Sequence, residues 1–386
     1  MNLNATETAK TEPLSGVDTT FTLEIGDDVV VRRASDQENA DRVRGIIECG
    51  LLHELQKRGL IPETTVVDRA GAKQLPKLKQ KRIAPVIYPY EWSPEMFRLA
   101  ALCTLKVNQC ANEFGYELKD AHPYNVVFQG LCPLFVDLGS LIARKHRNYW
   151  CASEEFYRFF GRTLRLIKMG YTNLVRRSYL FEETGYFQNE LAAITQPILL
   201  RVVGMHTLQR FNYYRYMYNI GPTIDSDAIE RKYARKITQK IAKFVLLSPL
   251  LPRRKFNYCK LSRKIKRYKF KGYQEWSNYH HDFYDQNGNI TLSPRMEWVL
   301  DESLRLAPSS ILELAGNSGI LARCLAHKLP TTTRIICNDI DPYAIDTLFN
   351  ASTKHRNLFA SCFNFIDFKN FPMQKNRRNR FQSDLV

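Results

Sequence analysis

The chain has 386 residues, enough for two domains of ordinary size, and its 44% hydrophobic and 25% charged content excludes fibrous, low-complexity and wholly disordered classes. A net charge of +17 favours anionic partners, and nine cysteines without a CxxC pair argue against a disulfide framework or a zinc site. The start is polar and no run approaches about 18 uninterrupted apolar residues, so neither a secretory signal nor a transmembrane segment is expected, and a reduced cytoplasmic setting fits.

Residues 1–20, polar with few apolar anchors, read as a disordered tail. Phe21–Arg33 alternates and is rich in valine, which predicts a hairpin around Gly26-Asp27-Asp28. Ala40–Arg58 places Val43, Ile46, Ile47, Leu51, Leu52 and Leu55 at helical spacing. Thr64–Asp68 and Ile83–Tyr88 read as short strands, with Ala70–Arg82 a basic loop between them. Ser93-Pro94 opens a helix to Phe114, with serine as cap and proline in the first turn.

The next segment, ELKDAHPYNVVFQGLCPLFVDLGS (Glu117–Ser140), carries a chemical signal. Asp120 and Asn125 have D-x-x-x-x-N spacing in a loop, and Asp137 follows an apolar hairpin in D-x-G. A carboxylate that orients a hydroxyl, with an amide and a second carboxylate that hold Mg²⁺, makes a phosphate–metal cradle. The plainer alternative is that Asp120 caps a turn, Asn125 bonds backbone and Asp137 opens a loop.

This spacing, with the hinge-like YPYEW (Tyr88–Trp92) ahead of it, resembles the catalytic and metal loops of protein kinase-like folds. The resemblance implies ATP and Mg²⁺, with Asp120 as catalytic acid and Asn125 and Asp137 as metal ligands if phosphotransfer occurs. There are departures. No glycine-rich loop precedes the first strands, Arg32 or Arg33 stands where a lysine is expected, and Lys119 replaces the usual arginine. Glu48 or Glu54 is the expected partner of that arginine. Binding without phosphoryl transfer is the expected use.

Helices are predicted from Ser153 to Met169, Phe187 to Met217 and Asp225 to Leu247, with apolar stripes that read as core and His206 as a satisfied core histidine. The α+β module therefore spans 21–247. Residues 248–272 form a basic connector: Arg253–Lys271 is crowded with lysine and arginine, interleaved with Phe256, Tyr258, Tyr268 and Phe270. Such a segment could meet nucleic acid or an anionic membrane, or it could be a linker helix with docked aromatics. The linker helix is the reading favoured over nucleic acid.

Residues 273–386 carry the second signal. ILELAGNSG (Ile311–Gly319) is an apolar run ending in an acid and a small-residue turn, and IICNDID (Ile335–Asp341) is another run ending in acids. Small residues let backbone N–H groups approach a ligand, and an acid about 20 or more residues on can take ribose hydroxyls. GxGxxG and GxxxxGK[ST] are both missing, which disfavours a dinucleotide and excludes a P-loop.

At these residues the chain resembles class I S-adenosylmethionine-dependent methyltransferases, and ELAGN with WSNYHH (Trp276–His281) resembles a bacterial group of nodulation-type and polysaccharide-cluster proteins. The resemblance implies a Rossmann-like sheet with S-adenosyl-L-methionine as cofactor. It matches Glu313 to the acid near the methionine amino group, and Ala315, Gly316, Asn317 and Gly319 to the glycine turn. Asp339, with Ile340 beside it, matches the ribose-binding acid, and Asp367 the acid at the adenine edge. Ala315 and Asn317 stand where glycines are common. His280 is a candidate general base, the alternative being that Trp276 and Tyr279 staple the segment. The implied acceptor is a small molecule or a saccharide- or lipid-linked intermediate. Strands are predicted at Ser310–Leu314, Arg334–Cys337 and Ser361–Phe365, with Ser383–Val386 opening a fourth. The chain stops at Val386, so a truncated domain with weak or absent methyl transfer is the expectation.

Overall fold

The computed structural model describes residues 20–67, 75–145, 150–181, 257–270, 283, 290–351, 355–365 and 381–386. The tail before Thr20, the helices predicted between Phe187 and Leu247 with His206, and Trp276–His281 lie outside the described residues.

Strands β1 (Phe21–Ile25) and β2 (Val29–Ala34) form the predicted antiparallel hairpin, with Phe21 opposite Ala34 and Ile25 opposite Val30. Helix α1 (Gln37–Glu48) starts at Asp36, whose carboxylate accepts the Asn39 N–H at 2.8 Å. The single helix predicted over Ala40–Arg58 is broken. Gly50, at φ 83°, turns the chain into α2 (Leu51–Lys57). Val43, Ile46, Leu51, Leu52 and Leu55 are nonetheless all buried, so the apolar period runs across the break.

Strands β3 (Thr64–Val66) and β4 (Lys77–Lys81) complete a sheet of order β1-β2-β4-β3. The strand expected at Ile83–Tyr88 is instead β4, inside the segment read as a basic loop. Its lysines lie on one face; Leu78 and Gln80 lie buried on the other. Gln80 accepts from Arg32 Nε at 2.6 Å and donates to Thr64 Oγ1 at 3.1 Å, so a buried polar residue supplies half of the inward face.

Helix α3 (Pro94–Glu113) is capped by Ser93, whose Oγ accepts the Met96 N–H at 3.4 Å. Around it lie β5 (Tyr116–Leu118) paired with β8 (Leu141–Ala143), and the hairpin β6 (Val126–Gln129)–β7 (Cys132–Phe135). The helix expected from Ser153 runs as α4 (Ser153–Phe156), a π turn (Tyr157–Gly161) and α5 (Arg162–Lys168), followed by α6 (Thr172–Phe181). In the basic connector, α7 (Tyr258–Lys266) docks on α3. Asn112 Nδ2 donates to the Tyr258 hydroxyl at 2.9 Å, Ile265 is buried, and Lys260, Arg263, Lys264 and Lys266 face solvent.

The C-terminal residues form α8 (Pro294–Leu306), β9 (Ser310–Glu313), α9 (Ile320–Lys328), β10 (Arg334–Asp339), α10 (Pro342–Ala351) and β11 (Leu358–Cys362). The strands are parallel in the order β11-β10-β9. On the free side of β9, Leu385 makes a parallel bridge to Ile311, with the Leu312 N–H donating to the Leu385 carbonyl at 2.9 Å. β11 starts before the predicted Ser361: all five of its residues are buried, so no alternation marks its limits.

One hydrophobic cluster includes residues of both regions, and Phe128 of β6 meets Phe349 of α10 edge-on at 6.2 Å. Beside it, the Asp346 carboxylate accepts the Glu95 N–H at 2.8 Å, adding to the cap of α3 from the far end of the sequence. Burial pushes this carboxyl up to about 8, well above the usual carboxylate range, with Ser93, Glu95 and Arg98 around it. The folded protein thus keeps a proton that the unfolded chain has released, so the group lowers stability as pH rises from about 4 to about 8, with no further change above. Asp346→Asn removes this titration. The variant's stability relative to wild type is expected to grow between pH 5 and pH 8, read as urea midpoints, whereas a constant difference would show an ionised Asp346.

Candidate cofactor pocket

The apolar strand β9 delivers Glu313 to the carboxyl end of the sheet, and the chain then needs an abrupt turn into α9. Ala315, Asn317 and Gly319 take φ of 55°, 49° and 67° in that turn. The two positions where glycine is replaced are therefore left-handed, a conformation that costs alanine about 1 kcal/mol and that asparagine tolerates better. Gly316 is needed for space: a Cβ there would lie 2.7 Å from Cys337 Sγ and 2.9 Å from Glu313 Cδ.

Asp339, at the end of β10, ties the turn to its neighbour. One carboxylate oxygen accepts the Asn317 N–H at 2.7 Å and the other the Asp341 N–H at 2.8 Å. Gly316 N–H donates to the Asn338 carbonyl at 2.9 Å, closing the same seam. Each Asp339 oxygen has further lone-pair capacity for a ligand hydroxyl. Glu313 is partly exposed as a residue, but its carboxyl turns inward. Burial pushes it up to about 7, opposed by hydrogen bonds from Cys337 and from the Ala322 N–H, the latter at 3.2 Å.

Leu314, Ile340 and Phe365 follow the three strands and are 36%, 52% and 37% exposed. Three wet apolar side chains at the carboxyl ends of parallel strands, beside two acids, offer a surface suited to a flat heterocycle. Glu313, Ala315, Gly316, Asn317, Gly319, Asp339 and Ile340 are thus gathered at one end of the sheet. Asp367 and His280 lie outside the described residues. Sequence reasoning missed Leu314 and Phe365, because an apolar residue just past an apolar strand gives no sign of being exposed. It also missed Asp341, whose carboxylate accepts the Tyr343 N–H at 2.9 Å at the start of α10.

The second constellation sits in the first module. Lys119 N–H donates to the Ser140 carbonyl at 2.8 Å and Val136 N–H to the Asn125 carbonyl at 2.9 Å, so the loops of Asp120, Asn125 and Asp137 are neighbours. Their carboxylates are already engaged. Asp120 accepts the His122 N–H at 3.0 Å, and Asp137 the Gly139 N–H at 3.0 Å. Glu155 accepts the Ala121 N–H at 2.8 Å, and burial with the facing Asp120 carboxylate pushes it up to about 8. Among the described residues, candidates for the expected arginine–glutamate pair have other partners: Arg32 donates to Gln80, Arg33 meets Glu24 at 3.4 Å, and Glu54 holds Arg58 at 2.7 Å. Among the described residues, no group of three or more His, Cys, Asp or Glu is placed to hold a metal ion, and no helix is long and apolar enough to cross a membrane.

Two glycine-position variants separate strain from space in the turn. Gly319→Ala adds left-handed strain and a contact with Leu348 Cδ1 at 2.7 Å, and is expected to cost about 1–2 kcal/mol. Ala315→Gly relieves strain but frees the unfolded chain, and is expected to be neutral to stabilising by up to about 1 kcal/mol. Urea unfolding at constant slope reads both.

No known protein-family profile matches the chain. Over 109 residues it is 34% identical to the nodulation protein NoeA of Rhizobium meliloti strain 1021, a stretch that makes up 26% of this chain and 23% of that protein. The chain therefore covers less than a quarter of the length of the relative it matches.

Proposed function

We propose that residues 273–386 form the cofactor-binding part of a class I S-adenosyl-L-methionine-dependent methyltransferase. In this reading a kinase-like, non-transferring module (21–247) and a basic connector (248–272) precede it. The observation that carries the reading is the left-handed Ala315–Gly319 turn, held by the Asp339 carboxylate beside exposed Leu314, Ile340 and Phe365. The strand order β11-β10-β9, extended past β9 by Leu385, supports it as the order of the first half of a Rossmann-like sheet. The identity to a nodulation protein supports it too, since the ELAGN wording resembles that group.

The residues present fit the cofactor. Asp339 would accept the ribose hydroxyls, the apolar trio would cover the base, and Glu313 would face the methionine ammonium group. When bound, the cofactor supplies a methyl group already activated on a sulfonium, so the protein's share is positioning and exclusion of water. A saccharide or lipid-linked acceptor belongs to the same proposal. Phosphotransfer through Asp120 has less support, because Glu155 crowds that carboxylate and Asp137 is folded onto its own loop.

Calorimetry with S-adenosylhomocysteine tests the reading. Wild type is expected to bind, and Asp339→Asn to lose about tenfold or more in affinity; equal binding by both, or none by wild type, would sink it. An ammonium beside Glu313 would also draw its carboxyl down from about 7, releasing a proton on binding near neutrality. Affinity should then rise with pH through about 7, and the binding heat should differ between phosphate and Tris buffers.

A further inference from the structure

The limb of the sheet that follows Asp339 is fastened to the first module at intervals, from the β10–α10 corner to the end of β11. At the β10–α10 corner, Asp341 donates its N–H to Asp339 and accepts that of Tyr343. The Tyr343 hydroxyl meets the hydroxyl of Thr172, the buried first residue of α6, at 2.9 Å. Further along the helix, Asp346 takes the Glu95 N–H. Past α10 the chain runs against the β6–β7 turn, where a Cβ on Gly130 would lie 2.4 Å from the His355 carbonyl oxygen. At the end of β11, Arg176 reaches the Cys362 carbonyl while its Nε donates to the Tyr90 carbonyl at 3.1 Å.

We infer that the first module is a working part of the pocket, with Thr172 and Tyr343 as positioning residues that hold the β10–α10 corner and, through it, the Asp339 carboxylate. The ligand side of this inference rests on the cofactor reading; the rigidity of the corner does not. The orientation of Asp339 is set by two N–H groups, from Asn317 and Asp341, and Asp341 goes where the first turn of α10 goes. That turn is tied to the first module by a directional hydroxyl pair, which apolar packing alone would not supply. A shift of the corner by about 1 Å moves the carboxylate out of hydrogen-bond range of a bound ribose.

The full chain tests this with Tyr343→Phe, Thr172→Val and the double variant, each removing a hydroxyl with little change of shape. Each single variant is expected to weaken S-adenosylhomocysteine binding about three- to tenfold, and the double variant no more than the singles, as one shared bond requires. Amide hydrogen exchange at Asn317 and Asp341 should speed up in all three, ahead of global unfolding. Arg58→Ala, which cuts the exposed pairing to Glu54 and Glu113, should leave affinity and both amides unchanged. If wild type does not bind the ligand, the cofactor reading fails and the corner is judged by exchange alone. Wild-type exchange at both amides in Tyr343→Phe, or affinity within about twofold where binding occurs, would overturn the inference.

Discussion

Helix α3 sets the terms for the rest of the molecule. Met96, Phe97, Ala100, Leu105, Val107 and Cys110 lie on different sides of it, and all are buried. A helix so widely apolar must be covered on most of its circumference, and only the stripe of Lys106, Gln109 and Glu113 is left to solvent. Each neighbour answers part of that demand: β7 and the α4–α5 segment on some sides, the docked connector helix α7 on another, and α10 near its N-terminal end. The N-terminus needs polar cover as well, and it is shared between Ser93 from its own chain segment and Asp346 from the C-terminal region. A burial requirement in the first module thus draws in the helix that follows Asp339.

The turn at Ala315–Gly319 and the Asp339 carboxylate form one unit. The turn sends two N–H groups to the end of β10, that of Gly316 to the Asn338 carbonyl and that of left-handed Asn317 to the Asp339 carboxylate. A substituted turn of this kind keeps its shape because the acid stabilises the backbone that glycine would otherwise make easy. Glu313 is the counterpart on β9, a carboxyl that burial pushes up to about 7. The two acids differ in surroundings: Asp339 accepts two backbone N–H groups, and Glu313 is held up by its burial.

The connector shows how charge and packing divide one segment. The cations of α7 point to solvent, while Tyr258 and Ile265 are spent on docking, with Tyr258 also lying 6.2 Å from Trp150. Tyr258 so engaged is not an open platform for a base, and the solvent face of α7 is mostly cationic.

The amino-acid sequence by itself determined the elements whose signal is local. The β1–β2 hairpin follows valine alternation around Gly26, α3 follows Ser93-Pro94 and its apolar run, and β9 and β10 follow apolar runs that end in acids. The tight turn after β9 and the strand-end position of Asp339 were legible for the same reason, since small residues and a strand-end acid are a local pattern. Only the tertiary structure decided the rest. Strand β4 hides its period because Gln80 serves as an inward residue once Arg32 and Thr64 satisfy it, and β11 hides its limits because both faces are covered. The exposure of Leu314 and Phe365, the Asp120–Glu155 pairing and the reach of Asp346 to Glu95 depend on residues far apart in the chain. Such contacts carry no period or spacing, because they form only when separately folded elements meet.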